Sequence, residues 1–208
     1  VHLILASASP RRRQLLTDLH LSFTIVPSNF VEAGVDHLPP REQAIALAEG
    51  KANEVARRTG EGLILGADTI VVHEGTVLGK PRDADDAFRT LRRLSGQSHQ
   101  VITGLALIEV HDGQPVATVT GAETTMVTFR QLDEADIAAY VATGDPLDKA
   151  GAYGIQGLAA LLVERIDGDY FNVVGLPLVA LDRLMRRWQI SLLQQGAARE
   201  QSQRATLT

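Results

Sequence analysis

The chain has 208 residues, 45% of them hydrophobic, with a formal net charge of -5 and no cysteine. This length supports one substantial core, and the lack of cysteine excludes disulfides, thiolate catalysis and cysteine-based zinc sites. The acidic balance argues against a nucleic-acid partner, which calls for a basic stripe, and no apolar run approaches the ~20 residues of a membrane span; with no basic, signal-like stretch ahead of the first strand, the expected location is the cytoplasm.

Leu3-Ile4-Leu5-Ala6 reads as a strand running into a helix over Pro10–Leu19. Ser9 suits the N-cap, because its hydroxyl satisfies a free backbone N–H, and Pro10 suits the first helical position, where a missing N–H costs nothing. Leu15, Leu16 and Leu19 supply the buried stripe. Ser7, Ser9, the open N–H groups and the guanidinium groups of Arg11 to Arg13 suit an anion. An ordinary capped surface helix with solvated arginines explains the same residues. Arg11 and Arg13 point to other faces of the helix than Arg12.

Phe23–Val26 is a short strand, and Pro39-Pro40 opens a long helix. Its face is made of small apolar residues, Ala44, Ile45, Leu47, Ala48, Ala52, Val55 and Ala56, and Gly60-Glu61-Gly62 stops it. Leu63–Val72 is then a β-branched run with a carboxylate, Asp68, in its middle. A buried carboxylate is costly unless a metal, a cation or several donors compensate it, so Asp68 needs a partner; otherwise it is a structural aspartate at a bend after Gly66. After the hairpin His73-Glu74-Gly75-Thr76, Gly79-Lys80-Pro81 returns an ammonium group toward the same end of the sheet.

Asp83 caps a helix with Phe88, Leu91 and Leu94 inward, ended by Ser95-Gly96. Val101–Val110 and Val116–Phe129 are long strands joined through Asp112-Gly113. Asp133 caps a helix that buries Ile137, Tyr140 and Val141. Asp148 to Gly157 is a loop whose glycines, Gly151, Gly154 and Gly157, let its backbone approach something closely. Leu161–Ile166 and Tyr170–Val174 read as a second hairpin around Asp167-Gly168, Pro177 opens a helix toward Trp188, and the polar residues 191–208 read as a disordered tail. Strands both adjacent and separated by helices give an α/β protein with a mixed sheet. There is no dinucleotide fingerprint, no Walker loop and no Gly-x-Ser-x-Gly elbow. The six histidines lack metal-ligand spacing, and His99 suits a structural hydrogen bond.

Leu5-Ala6-Ser7-Ala8-Ser9-Pro10-Arg11-Arg12, Gly66-Ala67-Asp68-Thr69, Gly79-Lys80-Pro81, Leu94-Ser95-Gly96 with His99, and Asp148 to Gly157 together resemble the Maf family of nucleoside triphosphate pyrophosphatases. The resemblance runs over residues 3–190 in the family's order and spacing. It implies one domain over residues 1–190, an elongated mixed β-sheet flanked by helices with a nucleotide cleft between two lobes, as in inosine-triphosphatase-like folds, and a homodimer. It implies hydrolysis of a nucleoside triphosphate (dTTP, UTP or a modified pyrimidine nucleotide) to monophosphate and pyrophosphate, by attack of a metal-activated water on the α-phosphate. Gly154-Ile155-Gln156-Gly157 is similar to the branch acting on dTTP and UTP, not the branch associated with 7-methyl-GTP.

Carried over residue by residue, the resemblance implies Asp68 as general base and metal ligand, with Glu32 as second carboxylate; Asp36 and Glu42 compete with Glu32. The implied cofactor is a divalent metal, Mg²⁺ or else Mn²⁺, an ion that favours carboxylate and phosphate oxygens. Arg12, Lys51 and Lys80 fall on phosphate-binding positions, with Ser7 and Ser9 as hydroxyl donors. Gln156 presents an acceptor and a donor in one plane, matching the N3–H and carbonyl of uracil or thymine, while the flipped amide would satisfy cytosine as well; Thr69 can add a further contact. Lys149 faces the cleft or pairs locally with Asp148; Tyr153 is read as a packing residue, with base stacking as the alternative. A non-catalytic nucleotide-binding regulator of cell division would use the same cradle, and a phosphatase or nucleotide-sugar enzyme on a similar sheet is the third reading.

Overall fold

The computed structural model describes residues 2–206. In chain order the elements are β1 (Leu3–Leu5), α1 (Pro10–Asp18), β2 (Phe23–Ile25), α2 (Pro40–Ala56), β3 (Gly62–His73), β4 (Thr76–Leu78), α3 (Ala84–Leu94), β5 (Ser98–His111), β6 (Gln114–Phe129), α4 (Glu134–Ala142), β7 (Val163–Asp167), α5 (Tyr170–Val174), α6 (Leu178–Met185) and α7 (Leu192–Thr206). The strands form one seven-stranded mixed sheet in the order β2-β1-β3-β5-β6-β7, with β4 also paired to β3. β1 runs parallel to β2 and β3, whereas β4 on β3 and β7 on β6 are antiparallel. This is the expected α/β architecture of a mixed sheet with helices.

The chain divides into two compact units, the first formed by Val1–Asp68, Gly104–Ala122 and Gly175–Thr208, the second by Thr69–Thr103 and Glu123–Val174. In the first, Ile4, Ala6, Ile64, Ala106, Ile108 and Val110 of the sheet bury against Ala48, Ala52, Val55 and Ala56 of α2. Alanines let this helix lie almost on the strand backbones. A Cβ on Gly66 would sit 2.2 Å from the Ala48 carbonyl oxygen, and one on Gly104 only 2.0 Å from that of Ala44. The spacing is therefore set by missing side chains, and it brings the residue between Gly50 and Ala52 down onto the strand. Gly104→Ala is expected to destabilise the protein by roughly 3 kcal/mol, because helix backbone cannot yield as a side chain would. Gly121, whose nearest neighbour for a Cβ is the flexible Leu184 side chain at 3.4 Å, should accept alanine within about 1 kcal/mol; urea unfolding of both variants measures the contrast.

Helix α1 begins as its residues dictate: Ser9 Oγ accepts from the Arg12 backbone N–H, Pro10 follows the cap, and Leu15 and Leu16 are buried. In the second unit Asp83 and Asp133 each cap a helix by accepting a backbone N–H three residues on, at 2.7 Å in both cases, and α3 packs on α4. Asp112 and Gly113 both adopt positive φ at the β5–β6 turn, the geometry an Asp-Gly hairpin tip favours.

Two expectations are corrected. Tyr170–Val174 is a short helix, not the return strand of a hairpin. Asp169 accepts from the Phe171 N–H at 2.8 Å and turns the chain, and Asn172, fully buried, locks it there. The Asn172 carboxamide accepts from Thr103 N–H (3.1 Å) and donates to Val101 carbonyl and Thr125 Oγ1, each at 2.9 Å. Three buried hydrogen bonds outweigh the β propensity of the run. The stretch expected to be a disordered tail over 191–208 is helical from Leu192 to Thr206. Ser191 Oγ accepts from Gln194 N–H at 3.3 Å, and Leu192 N–H donates to Asp182 Oδ1 at 2.7 Å. Gly196 packs so closely that a Cβ there would lie 2.5 Å from the Leu19 carbonyl oxygen. Contact through a glycine leaves no hydrophobic stripe to read.

Candidate active site

β3 carries Asp68 into the first unit's interior, where the residue is 8% exposed. The close seat of α2 on Gly66 puts Lys51 above it, and the ammonium group donates to Asp68 Oδ1. The same nitrogen contacts Glu32 Oε1 at 2.6 Å. Glu32 reaches it because the Phe30 ring packs into the gap at Gly50, where a Cβ would lie 2.4 Å from the ring, anchoring the otherwise exposed segment on α2. Two carboxylates therefore converge on one cation. The Lys51 side chain is only 16% exposed, so it is not a solvated surface lysine.

Arg12 is buried beside this group. Its Nε donates to the Gly175 carbonyl at 2.7 Å and Nη1 to Ser7 Oγ at 3.3 Å; Ser7 Oγ also accepts from Ser9 N–H at 3.2 Å. Burial lowers the guanidinium pKa, and the charges of Asp68 and Glu32 oppose that shift. Asp68 is displaced the other way. Burial raises its proton affinity above the ordinary carboxylate value, with Lys51 and Arg12 pulling it back and Glu32 adding to the rise. The result is a desolvated carboxylate held among cations, an environment characteristic of functional sites.

Ser7, Ser9, Arg12, Glu32, Lys51 and Asp68 thus lie in the first unit, and all but Ser9 take part in this cluster; Ser9 Oγ accepts from the Arg12 N–H as the helix cap, which leaves its O–H able to donate. Thr69, Lys80 and Gln156 belong to the second unit. Thr69 Oγ1 hydrogen bonds Thr103 Oγ1 at 2.9 Å. Lys80 and Gln156 are exposed, Gln156 standing just ahead of a 3-10 turn over Gly157–Leu162. Asp36 and Glu42 are exposed as well and lie outside the Lys51 contacts. Among the described residues no three His, Cys, Asp or Glu side chains gather as a metal cage. Asp68 and Glu32 nevertheless fit a Mg²⁺-type ion, which commonly takes one or two carboxylates and fills its remaining positions with water and substrate phosphate.

Sequence reasoning missed Gly175, whose carbonyl orients Arg12 across 163 positions of chain, and nothing local marks it. It also missed Asn172, a polar residue inside an apolar run, which is a readable signal of a buried hydrogen-bonding hub.

The glycine loop of the second unit is tied down by rings. His99, 1% exposed, shares a 2.6 Å hydrogen bond between its Nε2 and Tyr153 Oη, and His99, Phe129 and Tyr153 meet edge to face. Tyr153 is a packing residue, its phenol pKa raised by burial. Gly151 sits against Val71, where a Cβ would approach within 2.9 Å. Lys149 Nζ is held by Asp145 Oδ1 and Asp148 Oδ1, both at 2.8 Å, which settles its choice for local pairing. Burial, reinforced by the nearby charge of His73, pushes the His99 pKa down to about 4. The unfolded chain therefore takes up this proton first, and stability falls as pH drops from about 6.5 to about 4, by up to about 3 kcal/mol from this residue. His99→Gln keeps an amide that can donate to or accept from Tyr153 without titrating, so its unfolding free energy should lose that much less over the same range in urea melts.

The family model described as Maf-like protein matches residues 2–188. A dTTP/UTP pyrophosphatase of Moorella thermoacetica is 57% identical over 88% of this chain and 93% of its own length. The proteins of the same name from Thermococcus gammatolerans and Bacillus velezensis are 51% and 47% identical, covering 88% and 90% of this chain and 94% and 97% of theirs. Among solved structures, a HAM1 protein from Coxiella burnetii aligns over 77% of this chain and 91% of that one, at 18% identity and a TM-score of 0.44. With a cation-held buried acid on its third strand and a family match that spans nearly its whole length, the chain belongs to the Maf-like protein family.

Proposed function

We propose that this protein hydrolyses dTTP and UTP to the nucleoside monophosphate and pyrophosphate. The observation that carries the reading is the buried Asp68, raised in proton affinity and bound by Lys51 within reach of Arg12 and Glu32. The names and high identity of the relatives support it independently.

In this mechanism Asp68 accepts the proton of the attacking water at a carboxylate oxygen. The water oxygen bonds to the α-phosphorus, the bond from that phosphorus to the oxygen bridging to the β-phosphorus breaks, and pyrophosphate leaves with the bridging oxygen. A desolvated carboxylate is a stronger base than a solvated one, so burial serves the proton transfer. Arg12, preset by Gly175 and Ser7, and Lys51 neutralise phosphate charge without reorganising at the moment of reaction. Asp68 and Glu32 would hold the divalent ion, which when bound neutralises charge and acidifies a coordinated water. Lys80 on phosphate, and Gln156 and Thr69 on the base, are part of the same proposal as the family resemblance implies them. Among the described residues no helix is long and apolar enough to cross a membrane.

A panel of ATP, GTP, CTP, UTP, dTTP and 7-methyl-GTP, assayed for products with and without Mg²⁺, tests the reading. Pyrophosphate and monophosphate are expected, with kcat/KM for dTTP and UTP at least about tenfold above the rest, since a hydrogen-bonding base site rejects unmatched partners strongly. Nucleotide binding with no turnover of any substrate would favour the regulator, and orthophosphate as product would favour a phosphatase.

A further inference from the structure

An open cavity lies on the first unit, built from residues outside the Asp68 cluster. It has a volume of about 600 Å³ and is lined by Arg13 and Thr17 of α1, the linker residues His20, Leu21 and Ser22, Phe23 and Ile25 of β2, and Arg199 of α7. The size suits a nucleotide-sized ligand. Its chemistry is divided: two guanidinium groups and an imidazole on one hand, Leu21, Phe23 and Ile25 on the other.

Among the described residues the cations are left without a counter-charge. Neither Arg13 nor Arg199 has an ion-pair partner among the described residues, and the acids close to them in sequence are engaged elsewhere. Asp18 Oδ1 accepts from Gln14 at 2.7 Å and Glu200 Oε1 from Arg204 at 2.6 Å. In a chain of net charge -5, a cavity walled by arginines with no ion pair among the described residues is a local reversal of sign that an anion would relieve. His20 lines it as a hydrogen-bonding ring from a left-handed backbone conformation, φ 54°, where a helix end ordinarily takes glycine.

We propose that this cavity binds a phosphorylated small molecule with a planar or apolar body, the chemical class of a nucleoside monophosphate. The phosphate sits on Arg13 and Arg199, and the body lies on Leu21, Phe23 and Ile25. The site is separate from the catalytic one, so its occupancy is a property of binding and does not depend on the hydrolase reading.

Titration of the full chain with UMP, inorganic phosphate, pyrophosphate and uridine, without divalent metal, tests the proposal. Two variants report on the cavity: Arg13→Gln with Arg199→Gln removes the charge, and Ser22→Trp fills the space without changing charge. Both alter exposed positions, and an unchanged unfolding midpoint confirms their fold. The Kd for UMP is expected to rise at least tenfold in each, while triphosphate turnover at low product concentration stays within twofold of the parent. UMP binding that is unaffected by both variants and lost only in Lys51→Ala would overturn the proposal. Uridine binding as tightly as UMP would overturn the phosphate assignment, and pyrophosphate or inorganic phosphate matching UMP would overturn the apolar one.

Discussion

Asp68→Asn is expected to lower kcat by roughly a thousandfold or more, a loss in the range a positioned general base contributes, while KM changes only several-fold. Asparagine keeps the shape of the side chain and an oxygen for Lys51, so unfolding in urea should be little changed and the loss can be ascribed to chemistry. The parent protein should also show its base in the pH profile. Burial raises the Asp68 pKa above the ordinary aspartate value, so activity is lost as pH falls through a limb higher than a solvated carboxylate would produce, because protonation removes the acceptor. Single-turnover pyrophosphate release across pH measures both effects. A variant that retains turnover within a few-fold would remove Asp68 from the base role.

Lys51→Ala is expected to be severe in a different way. Lys51 is the cation that contacts both Asp68 and Glu32, and removing one partner of a largely buried pair leaves an uncompensated charge, which costs about 3 to 5 kcal/mol. The pH dependence identifies the cause. In the variant the Asp68 pKa rises further in the folded state, so the folded protein binds a proton that the unfolded chain releases until about pH 4. Stability is therefore lowest at neutral pH and recovers as pH falls through the raised pKa. Adding Asp68→Asn to Lys51→Ala should restore most of the neutral-pH loss, since the uncompensated carboxylate is then gone and the charge of Glu32 still faces the buried Arg12. Urea melts at pH 5 and pH 7.5 on the three variants check this, and equal destabilisation at both pH values would show that Lys51 acts through packing alone.

Much of the site was legible because its parts are local. A serine before Pro10 announces an N-cap wherever it occurs, and Asp68 stands out as a carboxylate in a β-branched run that has to find a cation. Glu32 was harder to read, since its place follows from Phe30 filling the space at Gly50, a contact between segments without any shared pattern. The misreadings have one origin. Tyr170–Val174 has strand-like composition, yet Asn172 satisfies its carboxamide on Val101, Thr103 and Thr125, and those partners lie far along the chain. The helix after Ile190 is polar by composition because it packs through Gly196 and Leu192 instead of a wide apolar face.

The amino-acid order by itself determined the capped first helix, the alanine face of α2, the buried acid on β3 and the hairpin tip at Asp112-Gly113, because each depends on hydrogen bonds and side-chain volumes within a few residues of chain. Only the tertiary structure decided that Lys51 closes on both Asp68 and Glu32, that Gly175 aims Arg12, and that Arg13 and Arg199 share one cavity. Those arrangements rest on how closely one backbone can approach another, a distance set at Gly66 and Gly104 by atoms that are absent, and desolvation then converts that proximity into shifted proton affinities and directed charge.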